Sequence, residues 1–198
     1  TTTVIIDSIE PEKVKPYPEL WEDMVRYNQS IAAQGQSGLS CAYDYQKTSF
    51  RLADYGLPDE IFGVLSIPAI DLEMPIYLGA TEQHMADGAA HLSQTSLPIG
   101  GMDTNCVIAG HRGYSGASYF RYLDQLHVGD RVSVTNLWET LNYRVCEIRI
   151  IDPSDVEEIL IQPGRELLTL LTCHPYASGG RQRYVVYCER SELTTFPT

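Results

Sequence analysis

The sequence predicts a mainly β domain, a closed barrel or a sandwich, with one helix ahead of it and short helices between strands. Three observations carry this. Short apolar or alternating runs at 62–67, 72–77, 105–110, 131–136, 141–151, 167–173 and 182–189 are separated by turn residues such as Pro68, Pro75, Gly100-Gly101 and Gly179-Gly180. Only one segment, 18–33, keeps a helical period over several turns. With 43% hydrophobic residues, a chain of 198 can enclose one substantial core.

Taken in order, residues 1–16 are polar, contain Pro11 and Pro16, and read as an arm. In 18–33, Leu20, Trp21, Met24, Val25 and Ile31 recur at helical spacing, Pro18 and Glu19 suit a first turn, and Gly35 and Gly38 end the run. Residues 36–60 show no period and read as a long loop packed on the surface, a kind of segment that often serves as a lid or binding loop. Strands begin at Phe62, with a weaker eighth at 89–92. Helical pieces are expected at 81–88, capped by Thr81, at 117–125, and at 154–161, where Ser154 and Glu157 form a capping box. The chain therefore divides into 1–60 (arm, helix and candidate lid loop), 61–190 (the β domain) and 191–198 (a tail). There is no internal repeat.

Charge narrows the function classes. Twenty-six acids against fourteen bases give −12, and there are only three lysines, Lys13, Lys15 and Lys47. This argues against duplex DNA or RNA as a partner, which needs a basic face, and against electrostatic adsorption to an anionic membrane. No apolar run has the length of a membrane span, and Thr1-Thr2-Thr3 reads as the cut end of a longer protein. The five cysteines contain no CxxC pair, so zinc spacing is absent and no metal or cofactor is expected. Cys106, Cys146 and Cys188 lie in strand patterns and read as small buried hydrophobes, while Cys41 has no evident partner.

Chemistry concentrates at Leu170-Leu171-Thr172-Cys173-His174-Pro175-Tyr176, followed by Arg181-Gln182-Arg183. An apolar strand delivers a thiol to its end, and the next strand opens with two arginines. That placement suits a nucleophile better than a core cysteine. Five histidines could supply the base. His174 adjoins Cys173, but neighbours on a strand face opposite ways. His127 lies in a polar turn, and His84 and His91 read as packing or capping groups with no metal-pair spacing. His111 ends the run Cys106-Val107-Ile108-Ala109 and is bracketed by Gly110 and Gly113, which let a substrate backbone come close. Arg112 reads as a surface or loop-fixing residue, and Asp103 as a turn residue.

These blocks carry a family resemblance. Thr169-Leu170-Leu171-Thr172-Cys173 resembles the sortase signature TLxTC. Leu97-Pro98-Ile99-Gly100-Gly101, with Val107-Ile108-Ala109-Gly110-His111-Arg112-Gly113, resembles the sortase histidine block. Gly63-Val64-Leu65-Ser66-Ile67-Pro68 and Ile76-Tyr77-Leu78-Gly79-Ala80-Thr81 are similar to the first two barrel strands and the turn after them. The HRG triplet, the TSLPIGG run and the upstream helix resemble class C, the pilin-polymerising type.

The resemblance implies a closed eight-stranded sortase-type β-barrel and a cysteine transpeptidase. It makes Cys173 the nucleophile toward the Thr–Gly bond of an LPxTG-like sorting signal and His111 the acid/base. Arg183 becomes the arginine that binds substrate and steadies the oxyanion, with Arg181, two residues away on the same face, its rival. Thr172, Leu97 and Pro98 are candidate substrate-binding residues, with the alternatives that Thr172 simply suits the strand and that the other two only shape the loop. Physical chemistry agrees with these roles. A thiol of ordinary pKa, about 8.5, is mostly protonated at neutral pH, and a nearby imidazolium and guanidinium favour the thiolate. Implied partners are surface or pilin proteins bearing the signal and an amine acceptor, a pilin lysine or a cell-wall peptide. The implied location is the outer face of a Gram-positive cell membrane, with an anchor in the full-length protein.

One departure stands out. Class C sortases carry a lid anchored by Asp-Pro-aromatic, yet the only Asp-Pro here is Asp152-Pro153, far downstream. The nearest substitute is Tyr43-Asp44-Tyr45, so Asp44 and Tyr45 are candidate lid residues, against the alternative of a tyrosine-rich loop on the barrel flank. Two other functions compete with transpeptidation. A cysteine hydrolase would use the same residues, and a non-catalytic adhesion module would not need Cys173.

Overall fold

In the computed structural model, which describes residues 14–39, 48 and 50–191, eight strands close on themselves. They are β1 (Ile61–Ile67), β2 (Leu72–Leu78), β3 (Ala89–His91), β4 (Thr104–Ala109), β5 (Arg131–Thr135), β6 (Thr140–Ile151), β7 (Glu166–His174) and β8 (Gln182–Arg190). The barrel order is β1-β2-β3-β4-β7-β8-β6-β5. Only β2–β3 and β4–β7 pair in parallel; every other pair is antiparallel.

Period-two alternation sorts side chains between two layers. Leu65, Ile67, Met74, Cys106, Ile108, Val132, Val134, Leu168, Leu170 and Val186 fill the barrel. Val107, Ala109, Leu171, Val185 and Tyr187 point outward into a second cluster with Met85, Leu92 and Ile159. β4 is therefore buried at every position, which is why it reads as an unbroken apolar run. The outer cluster is roofed by residues 152–165. Buried Asn105 holds that roof: its Nδ2 donates to the carbonyls of Ile159 and Leu160, and its Oδ1 accepts from Thr169.

Helix α1 (Pro18–Gln34) closes one end of the barrel. Leu20 and Met24 pack against Leu52, Leu57, Phe62, Leu78, Leu97 and Ile99. Its buried stripe also contains Asn28, whose side chain clamps the Leu97 backbone by accepting from its N–H at 2.8 Å and donating to its carbonyl at 3.5 Å. A buried amide survives in that stripe because both ends of its side chain bond the backbone of the loop before β4.

The structure corrects several local expectations. Helix α2 (Glu82–Asp87) has Thr81 as its cap, accepting from the His84 N–H. The helix expected over 117–125 shrinks to a 3-10 turn, Leu123–Gln125, because Tyr119 adopts a left-handed conformation, φ 46°, that interrupts any earlier turn. The 154–161 piece is likewise a 3-10 turn, Val156–Ile159, with no capping box. Asp155 precedes it, its carboxylate accepting from the Asp152 N–H, and the Ser154 carbonyl accepts from Val156. Nor does the 36–60 stretch lie wholly on the surface: Leu39, Leu52 and Leu57 are buried, and Leu52–Tyr55 form a 3-10 turn. The four described cysteines are all free; Cys106 and Cys188 are buried, while Cys146 is half-buried with its thiol donating to the Tyr187 carbonyl. Among the described residues no helix is long and apolar enough to cross a membrane.

Candidate active site

Three adjacent strands bring the three expected groups to one end of the barrel. β4 and β7 run parallel with Ala109 beside Leu171, and the Gly110 N–H donates to the Leu171 carbonyl. Two residues further along each chain, His111 and Cys173 therefore come side by side. On the other flank of β7, Cys173 lies directly across from Arg183 of β8. Parity places them on one face: Leu171 and Val185, two residues earlier and later on these strands, point outward, so Cys173 and Arg183 do too. Thiol and guanidinium thus share the outer face of β7 and β8, and His111 follows the end of the neighbouring β4.

A sortase-domain family model matches residues 65–191. The chain belongs to the sortase family. Sortase D of Bacillus subtilis is 30% identical over 132 residues, covering 65% of this chain and 63% of that protein. Sortase A of Streptococcus agalactiae is 29% identical over 155 residues, covering 76% and 60%. The chain thus spans about three-fifths of the length of these relatives. Among solved structures, sortase C1 of GBS pilus island 1 superposes with a TM-score of 0.78 at 31% identity, covering 94% of this chain and 89% of that one. Sortase A from Corynebacterium diphtheriae superposes at 0.79 with 28% identity, covering 91% and 86%. The class C resemblance read from the sequence is supported by these neighbours.

These sortase groups are held by contacts that reach across strands. Arg183 is only 8% exposed, and its Nη1 donates to the carbonyls of Gly180 at 2.7 Å and Gln182 at 3.1 Å. Its plane is thereby fixed by its own turn. Arg181 lies in the bend before β8 and is exposed, outside the register that sets Arg183 against the thiol. Gly180 is a glycine for two reasons: its φ is 79°, and a Cβ there would stand 3.1 Å from the Arg183 Nη1 and 3.2 Å from the Cys173 Sγ.

His111 is half-buried. Tyr114 stacks on it at 4.7 Å between ring centroids, and Tyr119 meets it edge-on at 6.3 Å. Burial pushes its pKa below the ordinary 6.5 and so favours neutral imidazole. Gly110, just before it, is crossed by the Phe120 ring at a distance no Cβ would permit, 2.6 Å.

Of the two readings of Arg112, surface residue and loop-fixing residue, the second holds. It is buried, not at the surface, and ties the histidine loop to the cysteine strand. Nη1 donates to the Cys173 carbonyl at 3.0 Å, Nε donates to the Arg121 carbonyl at 2.8 Å, and Nη2 pairs with Asp124 at 3.0 Å. Thr172 is also a tether. It is fully buried on the face opposite Cys173, and its hydroxyl donates to the Gly110 carbonyl at 2.7 Å. Its placement fits positioning of the histidine turn and not substrate contact.

Leu97 and Pro98 do not join the site. Both are buried beneath α1, beside the start of β4, where Ser96 pairs with Asn105. Asn105 neighbours Leu167, so roughly 20 Å of strand separates that end from Cys173. They shape the core because they sit where the helix covers the barrel end. Asp44 and Tyr45 lie outside the described residues, as does Cys41. The other histidines are elsewhere. His174 packs on Tyr184 on the opposite face of β7, and His84 stacks on Tyr77 and bonds the Gly79 carbonyl. His91 is fully buried against Thr95. Asp103 is a turn residue, with φ 56° and its carboxylate accepting from Gly164.

Proposed function

We propose that this sortase is a cysteine transpeptidase that cuts an LPxTG-like sorting signal between Thr and Gly and joins the new acyl end to an amine. The observation that carries the reading is the meeting of His111, Cys173 and Arg183 at one end of β4, β7 and β8. The Cys173 thiolate attacks the scissile carbonyl carbon, the C–N bond breaks, and the leaving amine takes a proton from His111. A thioester remains. The acceptor amine then attacks it and yields a proton to His111, the C–S bond breaks, and the thiolate is restored.

Arg183 suits the negative charge that develops on the carbonyl oxygen. A guanidinium stays charged at every working pH, and its Nη1 bonds to the turn fix it before substrate arrives. Burial lowers the His111 pKa and so favours its neutral form. The protein tolerates this because the same histidine must later accept a proton from the incoming amine.

By likeness to the pilus-island sortases, the acceptor is a lysine of a pilin subunit, and the enzyme works on the outer face of a Gram-positive membrane through segments beyond this domain. Mass spectrometry of Cys173 with candidate sorting peptides, with and without an amine, tests the reading. A thioacyl adduct that the amine converts to a ligated product is expected. Free acid alone would identify a hydrolase, and the same product from Cys173→Ala would overturn the role of the thiol.

A further inference from the structure

Beside His111 a polar cleft of about 290 Å³ opens between two loops. One wall is residues 113–118, which follow the histidine; the other is Tyr176, which follows the cysteine; Arg121 lies between them. The loops meet where a Cβ on Gly113 would stand 3.7 Å from the Tyr176 ring. The cleft therefore adjoins His111 through the Tyr114 ring that stacks on it.

Arg121 is an unneutralised cation in this cleft. Among the described residues Arg26, Arg112, Arg149, Arg165 and Arg190 each hold a carboxylate, whereas Arg131, Arg144 and Arg181, outside this cleft, do not. Among the described residues Arg121 holds none, and the nearby Asp124 is taken by Arg112. Instead its guanidinium lies 4.2 Å over the Tyr176 ring and 5.5 Å from the Tyr122 ring. Aromatic faces on a cation restrict its rotamers without quenching its charge. Its backbone is equally fixed. Its N–H donates to the Ser118 carbonyl, and its own carbonyl accepts from the same Arg112 guanidinium that holds the Cys173 carbonyl. A single side chain thus ties the Arg121 backbone to that of Cys173.

A planar guanidinium held open among hydroxyls and backbone matches a carboxylate, which it can fork. The side on which it lies identifies the reactant. His111 gives a proton to the leaving amine and takes one from the entering amine, so both amines use the histidine side. Resting on the transpeptidase reading above, we infer that the Arg121–Tyr176 cleft is a carboxylate subsite for the amine partner. It selects acceptors that carry an acidic group close to the reactive amine. That group can be the side chain of an acidic neighbour or the terminal carboxylate of a short acceptor.

The test resolves a preformed Cys173 acyl-enzyme with matched amines. Glycylglycine is compared with glycylglycinamide, and a lysine peptide flanked by Glu with the same peptide flanked by Gln. The wild type should favour the carboxylate member of at least one pair by roughly two- to fivefold, as an ion pair to an exposed guanidinium implies. The pair that shows the preference identifies the source of the carboxylate. Arg121→Gln should bring that ratio to about one, Arg121→Lys should keep part of it, and added salt should reduce it in the wild type. A wild-type ratio near one for both pairs overturns the inference, as does a ratio that survives Arg121→Gln. An equal loss for all amines would make Arg121 a structural clamp on the two loops and also overturns it. These failures leave the acyl-enzyme intact, whereas failure of the adduct to form strikes the transpeptidase reading and the subsite with it.

Discussion

Gly180→Ala, set against Gly179→Ala, separates backbone strain from crowding at the thiol. Both glycines have left-handed φ, 79° and 73°, so an alanine at either position costs about 1–2 kcal/mol of conformational strain. Around Gly179 there is open space; around Gly180 the new methyl would meet the Arg183 Nη1 at 3.1 Å and the Cys173 Sγ at 3.2 Å. Those distances are tighter than the roughly 3.5–4.0 Å of relaxed contact, so both groups must give by several tenths of an ångström. The guanidinium resists, because its Nη1 donates to the Gly180 carbonyl at 2.7 Å. A misplacement of about 1 Å at a reacting centre costs about a hundredfold, so half of that predicts a roughly tenfold loss. Urea unfolding should show similar destabilisation for the two variants. The rate of Cys173 acylation by a sorting peptide should fall about tenfold further in Gly180→Ala than in Gly179→Ala. Equal acylation rates would refute the argument that Gly180 is reserved for the close approach of Cys173 and Arg183.

Two predictions concern acid. His91 is fully buried and its pKa is lowered to about 4, so its neutral form stabilises the fold above pH 6.5 and that stability is lost as pH falls from 6.5 toward 4. The full effect is about 3 kcal/mol, of which about 2 is gone by pH 5. The drop in unfolding free energy between pH 7.5 and 5 should therefore be about 2 kcal/mol smaller in His91→Gln, and equal drops would count against it. For His111, burial under Tyr114 places the acid limb of kcat/KM below pH 6.5. Tyr114→Ala uncovers one face of the imidazole and should move that limb up toward 6.5, and an unmoved limb would show that Tyr114 does not set the titration.

Strand positions were legible because each strand has either a clean alternation or a short unbroken apolar run between Gly and Pro turns. Even the three-residue β3 was visible in part, as the run 89–92. The 3-10 turns were over-read as helices because composition does not reveal a left-handed Tyr119. Cys173 and Arg183 could be paired from sequence only by analogy, since register depends on where β8 re-enters after the Gly179-Gly180 turn. The structure decides it by seating Cys173 across from Arg183 and leaving Arg181 in the bend.

Leu97 and Pro98 show the opposite case. They lie thirteen or fourteen residues before His111 in a block that resembles the family as a whole, and of the two readings, groove lining or loop shaping, their burial beneath α1 fits the second. A six-residue strand, β4, intervenes, and it carries the block's two ends to opposite ends of the barrel. Thr172 and Arg112 were each one residue from the chemistry in sequence, and both turned out to be one bond from it in space. Thr172 holds the carbonyl before His111, and Arg112 holds the carbonyl of Cys173. Each therefore crosses between β7 and the histidine loop in the opposite direction. Losing either should move His111 relative to Cys173 without removing a reacting group. Such residues cannot be told from strand formers or surface cations by type, because their role lies in a partner some sixty positions away.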